Sequence, residues 1–245
     1  GFGPETHLFD ETIALANRTI PAFVVLCGDM VNDINDRDQI DEVLRVADGI
    51  NGQIPLYWVP GNHDAALDNI HPEPKSISIY RANFGDDYYS FQYGDASFIV
   101  LNSTVMQFPE QVPDELEAEL SFLEKELKAA KQRDSSQIVL FTHHPLFGQD
   151  PGERDSPWNV PIKQRQPVIS LLRKYGVSAV FSGHWHRNNY AFDGHMQMVT
   201  TGSVGYPLGD DPSGYRVVEV SDDLIKHDYH PLVSQTHLTG EQNLV

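Results

Sequence analysis

Val177-Ser178-Ala179-Val180-Phe181-Ser182-Gly183-His184-Trp185-His186 is the stretch on which the fold turns. It is a short apolar run of buried-strand composition, halted by a glycine and followed at once by two histidines. The same pattern occurs three more times along the chain. Residues 22–27 run into Gly28-Asp29, residues 56–59 lead to Gly61-Asn62-His63-Asp64, and residues 138–141 end at Thr142-His143-His144-Pro145. Polar, ligand-type side chains just past the carboxyl ends of successive strands are where open α/β sheets build their sites. Asp, Asn and His are also the residue types that hold hard or borderline divalent metals.

The text between these stretches supplies the rest of a layered α/β fold. Residues 5–18 and 38–50 carry apolar residues at helical spacing, among them Leu8, Ile13, Ile40, Val43 and Ala47. Residues 65–87 are polar and broken by Pro72, Pro74 and Gly85, which reads as loop. Gly94-Asp95 between two apolar runs marks a hairpin. Pro113 opens a helix to about residue 133, whose stripe of Leu116, Leu120, Leu123 and Leu127 is a core face. Residues 147–160 look like an excursion over the surface, with Trp158-Asn159 either lining a cleft or holding the loop down. A helix over 162–174 follows, and antiparallel strands close the chain before a polar tail from about residue 232. The expectation is one domain over residues 1–245.

Composition excludes several function classes. Lys and Arg number 17 against 35 Asp and Glu, a formal charge of -18. Such a chain has no basic face with which to track a nucleic-acid backbone. No run approaches the roughly 18 apolar residues of a membrane span. A soluble, cytoplasmic, monomeric protein is expected, with neither nucleic acid nor membrane as partner. The single cysteine, Cys27, lies inside a strand and reads as a buried hydrophobe.

The chemistry follows from the clusters. Two metals about 3.5–4 Å apart clamp a phosphoryl group and activate water at neutral pH. Asp29, at a strand end, suits a bridging carboxylate, and Asn62, His143, His184 and His186 supply neutral donors. His63 is a candidate acid for the leaving alkoxide, with Asp64 beside it to orient the ring.

In order and content these clusters resemble the metallophosphoesterase (calcineurin-like phosphoesterase) superfamily, whose motifs run GD, GNH(D/E), H and GHxH. The likeness spans residues 28–186, and flanking text resembles one branch of the superfamily: residues 84–91, Leu101-Asn102-Ser103, and residues 208–212. The resemblance implies a four-layer α-β-β-α sandwich of two mixed sheets flanked by helices. It implies two divalent metal ions (Mn, Fe or Zn), with Asp29 bridging, Asn62, His143 and His184 completing the second metal and His186 on the first. His63 would contact the phosphate, oriented by Asp64. Asn32 lies where some members place a further ligand, and His144 and Arg187 would face substrate.

The superfamily opens with a strand ending in Asp-x-His or Asp-x-Gln. Here only Glu5-Thr6-His7 mimics it, behind four residues unsuited to a buried strand. The fold is therefore expected to lack its first strand and to leave the first metal short of ligands. The expected activity is hydrolysis of a phosphorylated substrate, a small molecule or a protein, with phosphoserine or phosphothreonine as the natural class. Two rivals stand beside it: a metal-free binding scaffold like the retromer-type subunit, or an impaired fragment; and a phosphodiesterase acting on nucleotides or lipids.

Overall fold

The structure, a computed structural model, describes residues 6–232. In chain order the elements are α1 (Thr6–Thr19), β1 (Val24–Leu26), α2 (Arg37–Ala47), β2 (Leu56–Trp58), α3 (Asn62–Ala65), α4 (Pro74–Phe84), β3 (Tyr89–Tyr93), β4 (Ala96–Val100) and α5 (Ser103–Gln107). Then come α6 (Pro113–Gln132), β5 (Ile138–Phe141), α7 (Ile162–Tyr175), β6 (Ala179–Ser182), β7 (Asn189–Asp193), β8 (Met196–Thr200), β9 (Gly214–Val220) and β10 (Ile225–Pro231).

A six-stranded mixed sheet in the order β3-β4-β5-β6-β8-β7 forms the centre. β4, β5, β6 and β8 run parallel, and β3 and β7 are antiparallel edges. β4, β5 and β6 are buried along their whole length, which is why their sequences are unbroken apolar runs rather than alternations. Side chains still alternate between faces. Ile99, Ile138, Leu140 and Val180 meet Leu123, Leu127, Val168 and Leu172 of α6 and α7. Phe98, Val100, Val139, Phe141, Phe181 and Val199 face the other way, onto Val25, Cys27, Val59, Val220 and Ile225.

That opposing layer is where the structure refines the expectation. In place of a second mixed sheet it holds two separate pairs, parallel β1–β2 and the antiparallel hairpin β9–β10. Among the described residues β1 pairs only with β2. Outside β1–β2 lies the fourth layer, where Ile40 and Val43 of α2 and Tyr80 and Phe84 of α4 pack with Leu26 and Trp58. The α-β-β-α order thus holds, with helices on both outer faces.

Part of the stretch read as loop is a helix. Pro74 sits in the first turn of α4, where its missing N–H costs nothing, and Glu73 N–H donates to Ser76 Oγ at 3.0 Å in a capping arrangement. Pro74, one of the prolines that suggested a loop, is the helix's start signal. The polar tail lies largely outside the described residues. No helix among the described residues is long and apolar enough to cross a membrane.

Candidate metal centre

Because β1 and β2 run parallel, as do β4, β5 and β6, the loops after each pair or triple emerge on one side. The loops after β1, β2, β5 and β6 meet there, closely enough to dictate their glycines. A Cβ on Gly28 would stand 2.3 Å from His143 Nδ1, and one on Gly61 would stand 2.2 Å from Asp29 Oδ1. The backbone is strained at the same place. Asp29, His184 and His186 have φ of 56°, 65° and 53°, left-handed values that non-glycine residues rarely adopt.

Four donor atoms converge in this knot. Asn62 Oδ1 and His184 Nδ1 each lie 3.1 Å from His143 Nε2, and Asp29 Oδ2 lies 3.2 Å from it. The far side of each group is already committed. His143 Nδ1 donates to the Cys27 carbonyl at 2.7 Å, His184 Nε2 donates to the Pro157 carbonyl at 3.1 Å, and Asn62 Nδ2 donates to the Asn69 carbonyl at 2.8 Å. These partners set the tautomers and leave the inward atoms as lone-pair donors. One proton on His143 Nε2 would be shared three ways among Asp29, Asn62 and His184. A single divalent cation satisfies all four atoms, and a carboxylate, an amide oxygen and two imidazoles suit Zn, Mn or Fe. The donor set therefore fits a metal, with Asp29, His143 and His184 grouped within ligand range of one another.

The electrostatics mark Asp29 as a group that draws positive charge towards it. Burial opposes charge on Asp29, but the His143, His63 and His184 imidazoles outweigh it and hold the carboxyl well below its usual range. Burial likewise opposes charge on His143, and Asp29 overrides it, raising that imidazole. Burial and His143 push His184 down to about 4, keeping it neutral and able to act as a ligand.

Asp29 Oδ1 faces elsewhere, accepting from His63 N–H at 3.1 Å. His186 stands near Asp29 without joining the cluster. It is coupled electrostatically to Asp29 but lies outside the group of close donors, with its ring edge-to-face on Tyr206 at 5.9 Å. Asn32 contributes its backbone: its carbonyl takes His63 Nδ1 at 2.9 Å. This corrects the expectation that Asp64 orients the His63 ring. Asp64 is fully buried and accepts from the backbone N–H groups of Asp29, Val31 and Gly61 at 2.6, 3.1 and 2.9 Å. Its task is to tie the β1 and β2 loops together, and burial with the nearby Asp29 charge pushes its carboxyl up to about 6.

His144 is buried behind the cluster. Its Nδ1 meets Ser103 Oγ at 3.0 Å and its ring lies 4.2 Å from the His184 ring. Burial, then His184 and His143, hold it well below its ordinary value, so it is a neutral packing partner rather than a group facing substrate. Arg187 is exposed and lies over the Trp185 ring at 5.3 Å. His7 is an exposed residue of α1, away from the grouped donors, and Glu5 lies outside the described residues.

Two further supports brace the cluster. Ser103, just past β4, accepts from the N–H groups of both His143 and His144, at 3.1 and 2.8 Å. The strand-end rule that picked out the four clusters would have found it. The second is the 147–160 segment, which is an arch rather than a loose excursion. Arg165 is fully buried and donates to the carbonyls of Leu146, Pro151, Glu153 and Val160. The Glu153 carboxylate accepts from the N–H groups of Gly148, Gln149 and Asp150 and from Asn159 Nδ2. Pinned in this way, the arch delivers the Pro157 carbonyl to His184.

Strand-end donors of this kind, on a four-layer α/β frame, define a metal-dependent phosphoesterase. The calcineurin-like phosphoesterase family profile matches residues 6–188, and the chain belongs to that family. It is similar to the serine/threonine-protein phosphatase CPPED1 of Danio rerio, 36% identical over 91% of this chain and 76% of that protein. The Homo sapiens protein of that name is 33% identical over 93% of this chain and 74% of its own length. Among solved structures, a dimetal phosphatase from Danio rerio matches with a TM-score of 0.58 and 17% identity, covering 91% of this chain and 85% of that one. The yellow lupin purple acid phosphatase PPD1 matches with a TM-score of 0.67 and 16% identity, over 91% of this chain and 47% of that one. These two structures share the fold, and the fold of a dimetal phosphoesterase implies two divalent metals.

Proposed function

We propose that this protein hydrolyses phosphomonoesters, with phosphoserine or phosphothreonine in proteins as the substrate class. The reading rests on the convergence of Asp29, Asn62, His143 and His184 on one point, with the two imidazoles and the amide held from behind. The curated relatives at 33–36% identity, named as serine/threonine-protein phosphatases, support the substrate class.

Asp29 presents Oδ2 to the four-atom cluster and Oδ1 to the backbone N–H of His63. Divalent ions (Mn, Fe or Zn), which Asp29, Asn62, His143 and His184 would hold, would supply Lewis acidity, lowering the pKa of water and offsetting charge on the phosphoryl oxygens. His63, with Nδ1 committed to the Asn32 carbonyl, keeps Nε2 to hold a proton. As water oxygen bonds to phosphorus and the ester P–O bond breaks, the leaving oxygen takes the His63 Nε2 proton, and the proton lost by water passes to solvent. The strained backbone at Asp29, His184 and His186 fixes these groups before substrate arrives.

The test compares a phosphoserine peptide with bis(4-nitrophenyl) phosphate on protein loaded with each metal in turn. Monoester turnover well above diester turnover is expected. A preference for the diester would overturn the reading and favour a phosphodiesterase.

A further inference from the structure

Two exposed aromatic rings flank the GHWH turn, and each rests on one of its histidines. Trp158 is 45% exposed, with its ring centroid 5.6 Å from that of His184. Tyr206 is 67% exposed and stands edge-to-face on His186. Set against two of the strand-end histidines, both rings place apolar area beside the site. Neither ring hangs from a loose segment. The Trp158 carbonyl accepts from Trp185 Nε1, its N–H donates to Ser156 Oγ at 3.2 Å, and the arch beneath is tied by Arg165 and Glu153. On the other side Leu208 N–H donates to the His186 carbonyl at 2.8 Å, and Asp211 accepts from Asn188, closing the loop that carries Tyr206. A rigid aromatic loses little conformational freedom when it is covered, so it makes an efficient recognition face.

Charge points the same way. With 35 acidic against 17 basic residues, the chain is poorly suited to selecting a substrate by the acidity of its surroundings. Apolar contact is what these two walls offer.

We propose that Trp158 and Tyr206 are specificity-determining residues that cover an apolar or aromatic side chain adjacent to the phosphorylated residue of a peptide. The inference rests on the phosphomonoesterase reading above and adds to it the character of the sequence around the phosphate. Offset-stacked and edge-to-face ring pairs are the geometry that such a side chain would adopt here.

The experiment measures binding rather than turnover. Peptides carrying phosphonomethylalanine, a non-hydrolysable phosphoserine, are flanked either by glycine or by phenylalanine and titrated calorimetrically into metal-loaded protein. Wild type is expected to prefer the phenylalanine-flanked peptide about tenfold, equivalent to about 1.4 kcal/mol. The ratio should fall towards one in the Trp158→Ala, Tyr206→Ala double variant and be largely restored by Trp158→Phe with Tyr206→Phe. Equal affinities in wild type, or a preference that survives loss of both rings, would overturn the inference while leaving the phosphomonoesterase reading intact. If neither peptide binds the loaded protein, the phosphomonoesterase reading itself fails, and this inference with it.

Discussion

The two sides of the Asp29 carboxylate are built to different standards. Towards Oδ2, four donor atoms from four separate loops meet, and the imidazoles and the amide are fixed from behind by the carbonyls of Cys27, Pro157 and Asn69. Towards Oδ1, among the described residues, the His63 ring is turned to the Asn32 carbonyl, and His186 stands apart from the close donors. A ligand atom held on its far side pays its ordering cost during folding, so metal affinity depends on such backing as well as on the number of ligands. Backing of this kind is therefore expected to make the Oδ2 side the tighter place for a divalent ion.

The largest expected effect breaks both sides together. Asp29→Asn removes the one carboxylate charge of the four-donor cluster, and turnover of a phosphoserine peptide should drop on the order of 10³-fold. Near-normal rates would show that the carboxylate does not serve the reaction. Next comes Gly61→Ala, whose new Cβ would lie 2.2 Å from Asp29 Oδ1. It should cost metal affinity roughly 10–100-fold, the usual penalty for disturbing a ligand's support, read by competition with a chromophoric chelator. Unchanged affinity would mean that the loops are looser than their contacts imply.

A third prediction sharpens the contrast through stability. Metal at about 100 times its Kd adds about 2.7 kcal/mol to folding, which in a chain of this size raises Tm by roughly 5–10 °C. His186→Ala should keep most of that rise, whereas His143→Ala should lose it. The smallest effect concerns the scaffold behind the well-held side. Buried Glu119 accepts from Asn102 N–H, next to Ser103, and burial, then the Asp87 charge, hold its carboxyl well above the usual range. The folded state keeps a proton that the unfolded chain releases near its ordinary value. The stability contributed is therefore full below that value and is lost as pH rises towards the raised one. Glu119→Gln should thus raise Tm by a few degrees at pH 8 and leave it unchanged near pH 4. An increase of equal size at both pH values would rule out titration of Glu119 as the cause.

Much of this arrangement was legible in the sequence, for a physical reason. Strands buried on both faces are unbroken apolar runs, so 138–141 and 177–182 announce themselves, and ligand-type residues directly after them declare the site. What stayed hidden works through backbone or through distance. Any residue has a carbonyl, so nothing marks those of Cys27, Pro157 and Asn32 as the groups that orient His143, His184 and His63. Asp64, next to His63 in sequence, was naturally read as its partner, yet a four-residue helix turns the carboxylate back under Gly61 and Asp29. Nothing in the sequence sets Arg165 apart from the other charges of its helix, and only the folded chain shows it buried among the carbonyls of the arch. The prolines before α4 carried a signal of opposite meaning to the one first read. A proline in a helix's first turn and one that breaks a helix are the same letter.

The most direct test of the account is a calorimetric titration of Mn²⁺ into metal-free wild type, His143→Ala and His186→Ala, counting ions per chain and resolving the tighter step. The tighter step is expected to survive His186→Ala and to disappear in His143→Ala. The reverse result, with the tighter step lost in His186→Ala and kept in His143→Ala, would contradict the claim that Asp29, Asn62, His143 and His184 form the principal metal position.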